Sequence, residues 1–272
     1  MLDRGVASHR SGRASSVRWF PRGVSPIHAR PFGGVEGADS VDPVSARPHP
    51  GGDRAGEPPR PPGRASAAAP AIALEGLSKR YGRHDALVDV DLEVRRGEVF
   101  GFIGPNGAGK TTTIRLLLDL IRPTRGVARV LGRDVRRDSV AVRRRVGYLP
   151  GELALYEDLT AREHFAYLAA LRGVPASAAI PLATRFDLEL DRPIRALSKG
   201  NRQKVGLIQA FMHEPELLIL DEPTAGLDPL VQHEFAVLLE EARERGQTVF
   251  LSSHVLSEVD RLADRVGLVR GG

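Results

Sequence analysis

From Ala71 onward, short apolar runs alternate with longer segments whose apolar residues recur three or four positions apart. Val99 to Ile103 is a short, largely apolar stretch ending at Gly104, and Ile114 to Ile121 continues with apolar residues on a helix. Leu217 to Leu220, Thr248 to Leu251 and Val266 to Val269 read as further buried strands, joined to helix-like segments of suitable length. Strands without polar alternation need cover on both faces, as in a sheet sandwiched between helices. The expected fold class is therefore α/β. A mostly helical insertion is expected between Gly151 and Ala196, starting at Leu159. Thr160 and Glu163 have the spacing of a capping box, and Phe165, Leu168 and Leu171 can share one helical face.

Residues 1–70 break this pattern. They hold 11 of the 20 prolines and 10 of the 29 glycines, with no sustained period of either kind. Such a composition buries too little apolar surface to offset chain entropy, so a disordered tail is expected. Five acidic residues from Glu36 to Glu57 argue against a transit peptide, and no apolar core marks a secretory signal. Two readings stay open: a real extension, or a true start near residue 70.

Charge and cysteine content narrow the chemistry. The net charge of +5 divides into +4 over residues 1–70 and +1 over 71–272, so the body carries no overall basic bias and no nucleic-acid partner is expected. Arg143-Arg144-Arg145 reads as a solvated helix end rather than a lipid-binding patch, because a charge run alone carries little information. The absence of cysteine excludes disulfides, thiolate metal sites and cysteine nucleophiles. Apolar runs such as Leu217 to Leu220 fall far short of the roughly 20 residues needed to span a bilayer.

The first chemical motif is Gly104-Pro105-Asn106-Gly107-Ala108-Gly109-Lys110-Thr111, followed by Thr112, between an expected strand and an expected helix. It satisfies G-x-x-x-x-G-K-[ST] in full. Glycines let the backbone curl so that N–H groups converge on phosphate oxygens. Lys110 supplies positive charge, and the Thr111 hydroxyl can ligate Mg²⁺. The second is Asp221-Glu222 at the carboxyl end of Leu217 to Leu220, where open α/β sheets bind ligands. Asp221 is suited to hold Mg²⁺, and Glu222 to orient or deprotonate an attacking water.

With Leu197-Ser198-Lys199-Gly200-Asn201 about twenty residues earlier, the chain resembles the ATP-binding cassette family, whose signature reads LSGGQ. Tyr81, Ala225-Gly226-Leu227-Asp228 and His254 in Leu251-Ser252-Ser253-His254 follow the family's order and spacing. The resemblance covers essentially all of 71–272. It implies a phosphate-loop core with an antiparallel β subdomain and a helical subdomain at about 152–203. It also implies Tyr81 stacking on adenine, Asp228 in the D-loop, and His254 as the switch histidine contacting the γ-phosphate.

Ser198, Lys199, Gly200 and Asn201 would serve the ATP of a second protomer, two cassettes enclosing two nucleotides head to tail. The resemblance further implies a separate transmembrane permease subunit, met at the cytoplasmic face of the membrane, with Glu152 to Asp158 as the docking surface. Its style is that of bacterial exporters; translation and chromosome-maintenance ATPases are the alternatives. Lys199 and Asn201 depart from the signature. Tyr148-Leu149-Pro150-Gly151-Glu152 lacks the expected glutamine, leaving open whether Glu152 replaces it. Family members continue for at least another strand and helix past the point reached at Gly272, so a fragment is expected.

Overall fold

The computed structural model describes residues 18–21 and 69–270. Three strands form the centre: β4 (Val99–Ile103), β8 (Leu217–Asp221) and β9 (Thr248–Ser253), buried at every position. Successive side chains on a strand point to opposite faces, so each strand must feed two cores. Val99, Leu218, Leu220, Val249 and Leu251 enter one core, shared with the helices of the insertion and with those that follow it. Phe100, Phe102, Leu217, Ile219 and Phe250 enter the other. There Phe250 stacks on Phe100 and tilts against Phe102, with ring centroids 6.0 and 5.2 Å away. Burial on both faces explains why these strands read as unbroken apolar runs.

The six-stranded sheet runs β1-β10-β4-β9-β8-β7, with β7 at Val146–Leu149 and β10 at Arg265–Leu268. From β10 to β7 all pairings are parallel. Strand β1 (Arg18–Pro21) pairs antiparallel with β10, inside the stretch expected to be disordered. The remainder of 1–68 lies outside the described residues. A separate four-stranded antiparallel sheet, β3-β2-β5-β6, comprises His84–Val94, Ile72–Tyr81, Arg125–Val130 and Arg133–Asp134. Together the two sheets give the expected α/β architecture with an antiparallel subdomain.

Helix α1 (Lys110–Leu117) follows β4 directly, beginning earlier than the apolar spacing suggests. Helix α2 (Ser139–Arg144) leads into β7. The segment between β7 and β8 carries α3 (Ala161–Arg172), α4 (Ile180–Arg185) and α5 (Lys199–Phe211). The capping box at Thr160 and Glu163 is present, each satisfying the other's backbone N–H. Leu171 departs from expectation and is exposed, while Phe165 is buried. Six residues at about 100° each place Leu171 roughly a third of a turn from Phe165, too far to share its stripe. Helices α6 (Pro229–Glu244) and α7 (Leu256–Leu262) flank β9 in sequence. Among the described residues no helix is long and apolar enough to cross a membrane.

Candidate functional site

Register assembles the site. Ile103 pairs with Ser253 and Asp221 with Ser252, so β4, β9 and β8 deliver their following loops side by side at one sheet edge. The loop after β4 is tightly confined. A Cβ on Gly104 would stand 2.6 Å from the Val269 carbonyl oxygen, and one on Gly109 2.7 Å from that of Ala86. Gly109 also has φ of 100°, a conformation costly for any residue with a Cβ. Pro105, Asn106 and Gly107 are exposed at the crest and Ala108 is buried beneath it. Gly109 offers no side-chain cap to α1, leaving the first amides of that helix open to an anion.

Lys110 is buried, and its Nζ donates to the carbonyls of Gly104 at 2.7 Å and Pro105 at 3.4 Å. The same ammonium lies 3.7 Å from Glu222 Oε1. Glu222 Oε2 is 2.8 Å from His254 Nδ1, so in the tautomer that carries its hydrogen on Nδ1 the imidazole donates to the carboxylate. Thr111 donates its hydroxyl to Asp221 Oδ2 at 3.0 Å, and Ser252 donates to Asp221 Oδ1. Thr112 sits half-buried in the first turn. One ammonium, two carboxylates, two hydroxyls and one imidazole thus meet at the ends of three strands.

Glu222 has φ of 51°, the left-handed region that a residue with a side chain enters at a cost of about 1–2 kcal/mol. Its N–H donates to the Ser252 carbonyl at 3.0 Å, which holds the turn. The strain directs the carboxylate back toward Lys110 and His254 rather than along the strand. Tyr148, half-buried at the end of β7, has its phenol pushed up to about 12 by burial, with the Asp221 charge adding to the effect. It stays protonated throughout the working range.

Asp221 and Thr111 suit one metal in particular. Among the described residues no group of three or more His, Cys, Asp or Glu could hold an ion alone. A hydroxyl and a carboxylate 3.0 Å apart form instead the sparse oxygen set that Mg²⁺ uses when phosphate and water complete its shell.

The signature residues stand apart. Ser198 caps α5 by accepting the Asn201 N–H at 3.2 Å. A Cβ on Gly200 would lie 3.3 Å from the Gly226 carbonyl, and the Lys199 stem covers Gly226. No hydrogen bond or ion pair among the described residues joins these four to Lys110 or Glu222. Tyr81 is 45% exposed, with the Lys79 ammonium 4.9 Å from its ring centroid. Asp228 caps α6 by accepting the Val231 N–H at 2.9 Å.

Sequence reasoning missed three supporting residues. Ser252 and Ser253 are buried polar residues that close a strand whose middle, Val249 to Leu251, is apolar, and that change was the available signal. Buried Gln203 donates to the Pro223 carbonyl at 3.0 Å, gripping the residue after Glu222. Gly151 lies against Asp221, where a Cβ would be 3.3 Å from Oδ2; Glu152 beside it is exposed.

Comparison with known proteins gives consistent results. The family described as ABC transporter matches residues 87–225. A bacitracin transport ATP-binding protein of Bacillus licheniformis is 40% identical over 74% of this chain and 67% of its own length. A daunorubicin resistance ATP-binding protein of Streptomyces coeruleorubidus is 42% identical over 74% of this chain and 66% of its own. The chain therefore spans about two thirds of each of these relatives. Among solved structures, the ATP-binding subunit of an ABC transporter superposes with a TM-score of 0.70 at 35% identity, covering 74% of this chain and 86% of that one.

Proposed function

The chain belongs to the ABC transporter family, as an ATP-binding and ATP-hydrolysing subunit, and from that premise we propose how its residues divide the work and what it works with. The observation that carries the reading is the continuous contact from Lys110 through Glu222 to His254, beside Thr111 and Asp221. The loop from Gly104 to Gly109 and the first amides of α1, with Thr112, cradle the ATP phosphates. Lys110 exchanges its carbonyl partners for β/γ-phosphate oxygens. Tyr81 offers its exposed face to the adenine.

Thr111 and Asp221 are the residues that would hold Mg²⁺, which when bound neutralises charge on the phosphates. Ser252 fixes the Asp221 carboxylate for that purpose. Glu222 orients or deprotonates the attacking water, and its contact with His254 keeps the imidazole near the position of the γ-phosphate. Hydrolysis breaks the bond between the γ-phosphorus and the β–γ bridging oxygen, which leaves with ADP, while the water oxygen bonds to the γ-phosphorus to give inorganic phosphate; where Glu222 acts as the base, it takes the water proton.

Ser198, Lys199, Gly200 and Asn201, lying outside this cluster, serve the nucleotide of a second cassette. The partners are then that second cassette and a separate transmembrane permease, engaged at the cytoplasmic face of the membrane. Around the proposed docking segment, Tyr156 is 52% exposed and Tyr167 packs edge-on against it, an exposed aromatic pair for a permease helix. The relatives named for bacitracin transport and daunorubicin resistance support export of an antibiotic-like compound. They support transport over translation or chromosome maintenance.

Lys110→Ala tests the site. It removes a buried cation that the fold does not need, so the variant should keep its melting temperature within a few degrees while losing ATP binding and turnover. Near wild-type turnover in the folded variant would reject the assignment.

A further inference from the structure

We propose that the hollow lined by Arg122, Arg136 and Arg137, within the arginine-rich segment 119–145, is a docking surface for acidic phospholipid headgroups, distinct from the nucleotide site and from the proposed permease-docking surface. The proposal rests on the reading that this subunit works at a membrane.

The charge distribution comes first. Residues 119–145 contain nine arginines and three aspartates, with no lysine or glutamate, a net of +6. The rest of 71–272 carries a net of −5, so the near-neutral body is strongly polarised. Part of this excess is internally occupied: Arg129 pairs with Glu75, Arg145 with Glu216, and Arg122 with Asp119 at 2.9 Å. Arg136 and Arg137 are exposed and make no ion pair among the described residues.

Arg122, Arg136 and Arg137 line one open hollow of about 630 Å³, with Val127 and Asp134 as its other walls. Asp134 is the only acid there, and Oδ1 of its carboxylate accepts the backbone N–H of Arg136 at 2.8 Å and of Arg137 at 3.2 Å. These backbone bonds, chiefly that of Arg136, hold its carboxyl below the usual range. Asp134 therefore fixes the turn that presents the two arginines, while their guanidinium groups remain available. Guanidinium forks match the geometry of phosphate oxygens.

Two further features select a lipid surface over other polyanions. Leu120 is 54% exposed and Val140 58% exposed, so large apolar side chains are exposed two residues before Arg122 and three residues after Arg137 in the chain. Such a mixture is what interfacial segments present to headgroups and the glycerol layer. No aromatic residue lies in 119–145, leaving nothing on which nucleic-acid bases could stack.

The test is co-sedimentation of the full chain with vesicles of phosphatidylcholine alone or mixed with phosphatidylglycerol, at physiological ionic strength. Binding is expected only to the mixed vesicles. A basic residue near an anionic surface contributes about fivefold, so Arg136→Gln with Arg137→Gln should weaken binding about thirty-fold. Arg192→Gln with Arg195→Gln removes equal charge elsewhere and should leave binding unchanged. ATP hydrolysis in solution should be the same in both double variants, which verifies folding. Equal binding to neutral vesicles, equal loss in both variants, or release by inorganic phosphate at constant ionic strength would overturn the proposal. So would tighter binding of a short DNA duplex through the same two arginines. A chain that hydrolyses ATP but ignores acidic vesicles refutes this inference alone; one that binds vesicles through Arg136 and Arg137 without hydrolysing ATP refutes the transporter reading instead.

Discussion

Replacing Glu222 with Gln separates binding from hydrolysis more cleanly than any other change in the site. The substitution keeps the size of the side chain and removes its charge and basicity. Its neighbours tolerate the loss. Lys110 retains the Gly104 and Pro105 carbonyls at 2.7 and 3.4 Å, so no buried cation is stranded. An amide oxygen can still accept from His254 Nδ1, and glutamine pays about the same cost at φ of 51° as glutamate does. Stability should consequently move by less than about 1 kcal/mol, within the range of changes that disturb no packing. Turnover should fall by about 10²- to 10⁴-fold, the typical contribution of a positioned general base. That corresponds to roughly 3–5 kcal/mol of barrier at 1.36 kcal/mol per decade. The assay is steady-state phosphate release beside calorimetric ATP affinity and a melting curve on the same preparation. Affinity should be preserved or increased. Wild-type turnover by the folded variant would refute the reasoning, and Glu152, exposed beside Gly151, would become the carboxylate to test.

Ser252→Ala should raise the Mg²⁺ concentration needed for half-maximal hydrolysis by about 10-fold or more, the usual effect of removing a partner that orients a metal ligand; a metal titration showing no shift would remove Ser252 from that role. Gly147→Ala should destabilise by at least about 1–3 kcal/mol, because its Cβ would meet the Ala210 carbonyl oxygen at 2.1 Å and force α5 away from β7; an unchanged denaturant midpoint would contradict this. His213 has its imidazole lowered to about 4 by burial and then by the Arg172 charge, against a hydrogen bond to the Val146 carbonyl. With the folded value depressed, stability is complete above the unfolded value near 6.5. It falls as pH drops toward 4, because only the unfolded chain takes up the proton. After discounting the partly exposed ring, the loss is about 1–2 kcal/mol, and His213→Gln should flatten the denaturation profile over that window.

The legible parts of the fold were those in which one physical demand dominated. Strands β4, β8 and β9 are buried on both faces, so their residues could hardly be other than apolar, and their limits were read to within a few positions. Strands β2 and β3 are only partly buried, and their register shifts between Leu74 and Leu77, Leu77 and Lys79, and Lys79 and Arg80. No strict alternation survives those irregularities, and the antiparallel sheet was anticipated only through the family resemblance. Leu171 misled because spacing by threes drifts around a helix. The polarity of the body was concealed by cancellation: a count near zero over 71–272 masks +6 in one stretch and −5 in the remainder. The phosphate loop and the Asp-Glu pair were legible as motifs, whereas the left-handed turn at Glu222 was not, since glutamate gives no local sign of that conformation.

On the proposed reading, one chain does not complete the machinery it carries. Everything needed to grip phosphate and activate water lies at the ends of β4, β8 and β9, while Ser198 spends its hydroxyl capping its own helix. That helix is nevertheless tied to the proposed base. Gln203, five residues past Ser198, donates to the Pro223 carbonyl, and Thr224 donates to Glu258 on α7 at 2.7 Å. The segment following Glu222 is therefore held between the helix bearing the signature and the helix that follows His254. If Ser198 engages the nucleotide of a second cassette, movement of α5 reaches the backbone beside Glu222 through a single hydrogen bond. The same contact pulls against Thr224 and hence α7. On that reading Glu222, held at φ of 51°, is the residue whose carboxylate such a movement would redirect, and Gln203→Ala should lower turnover without changing ATP affinity; unchanged turnover in the folded variant would refute the link.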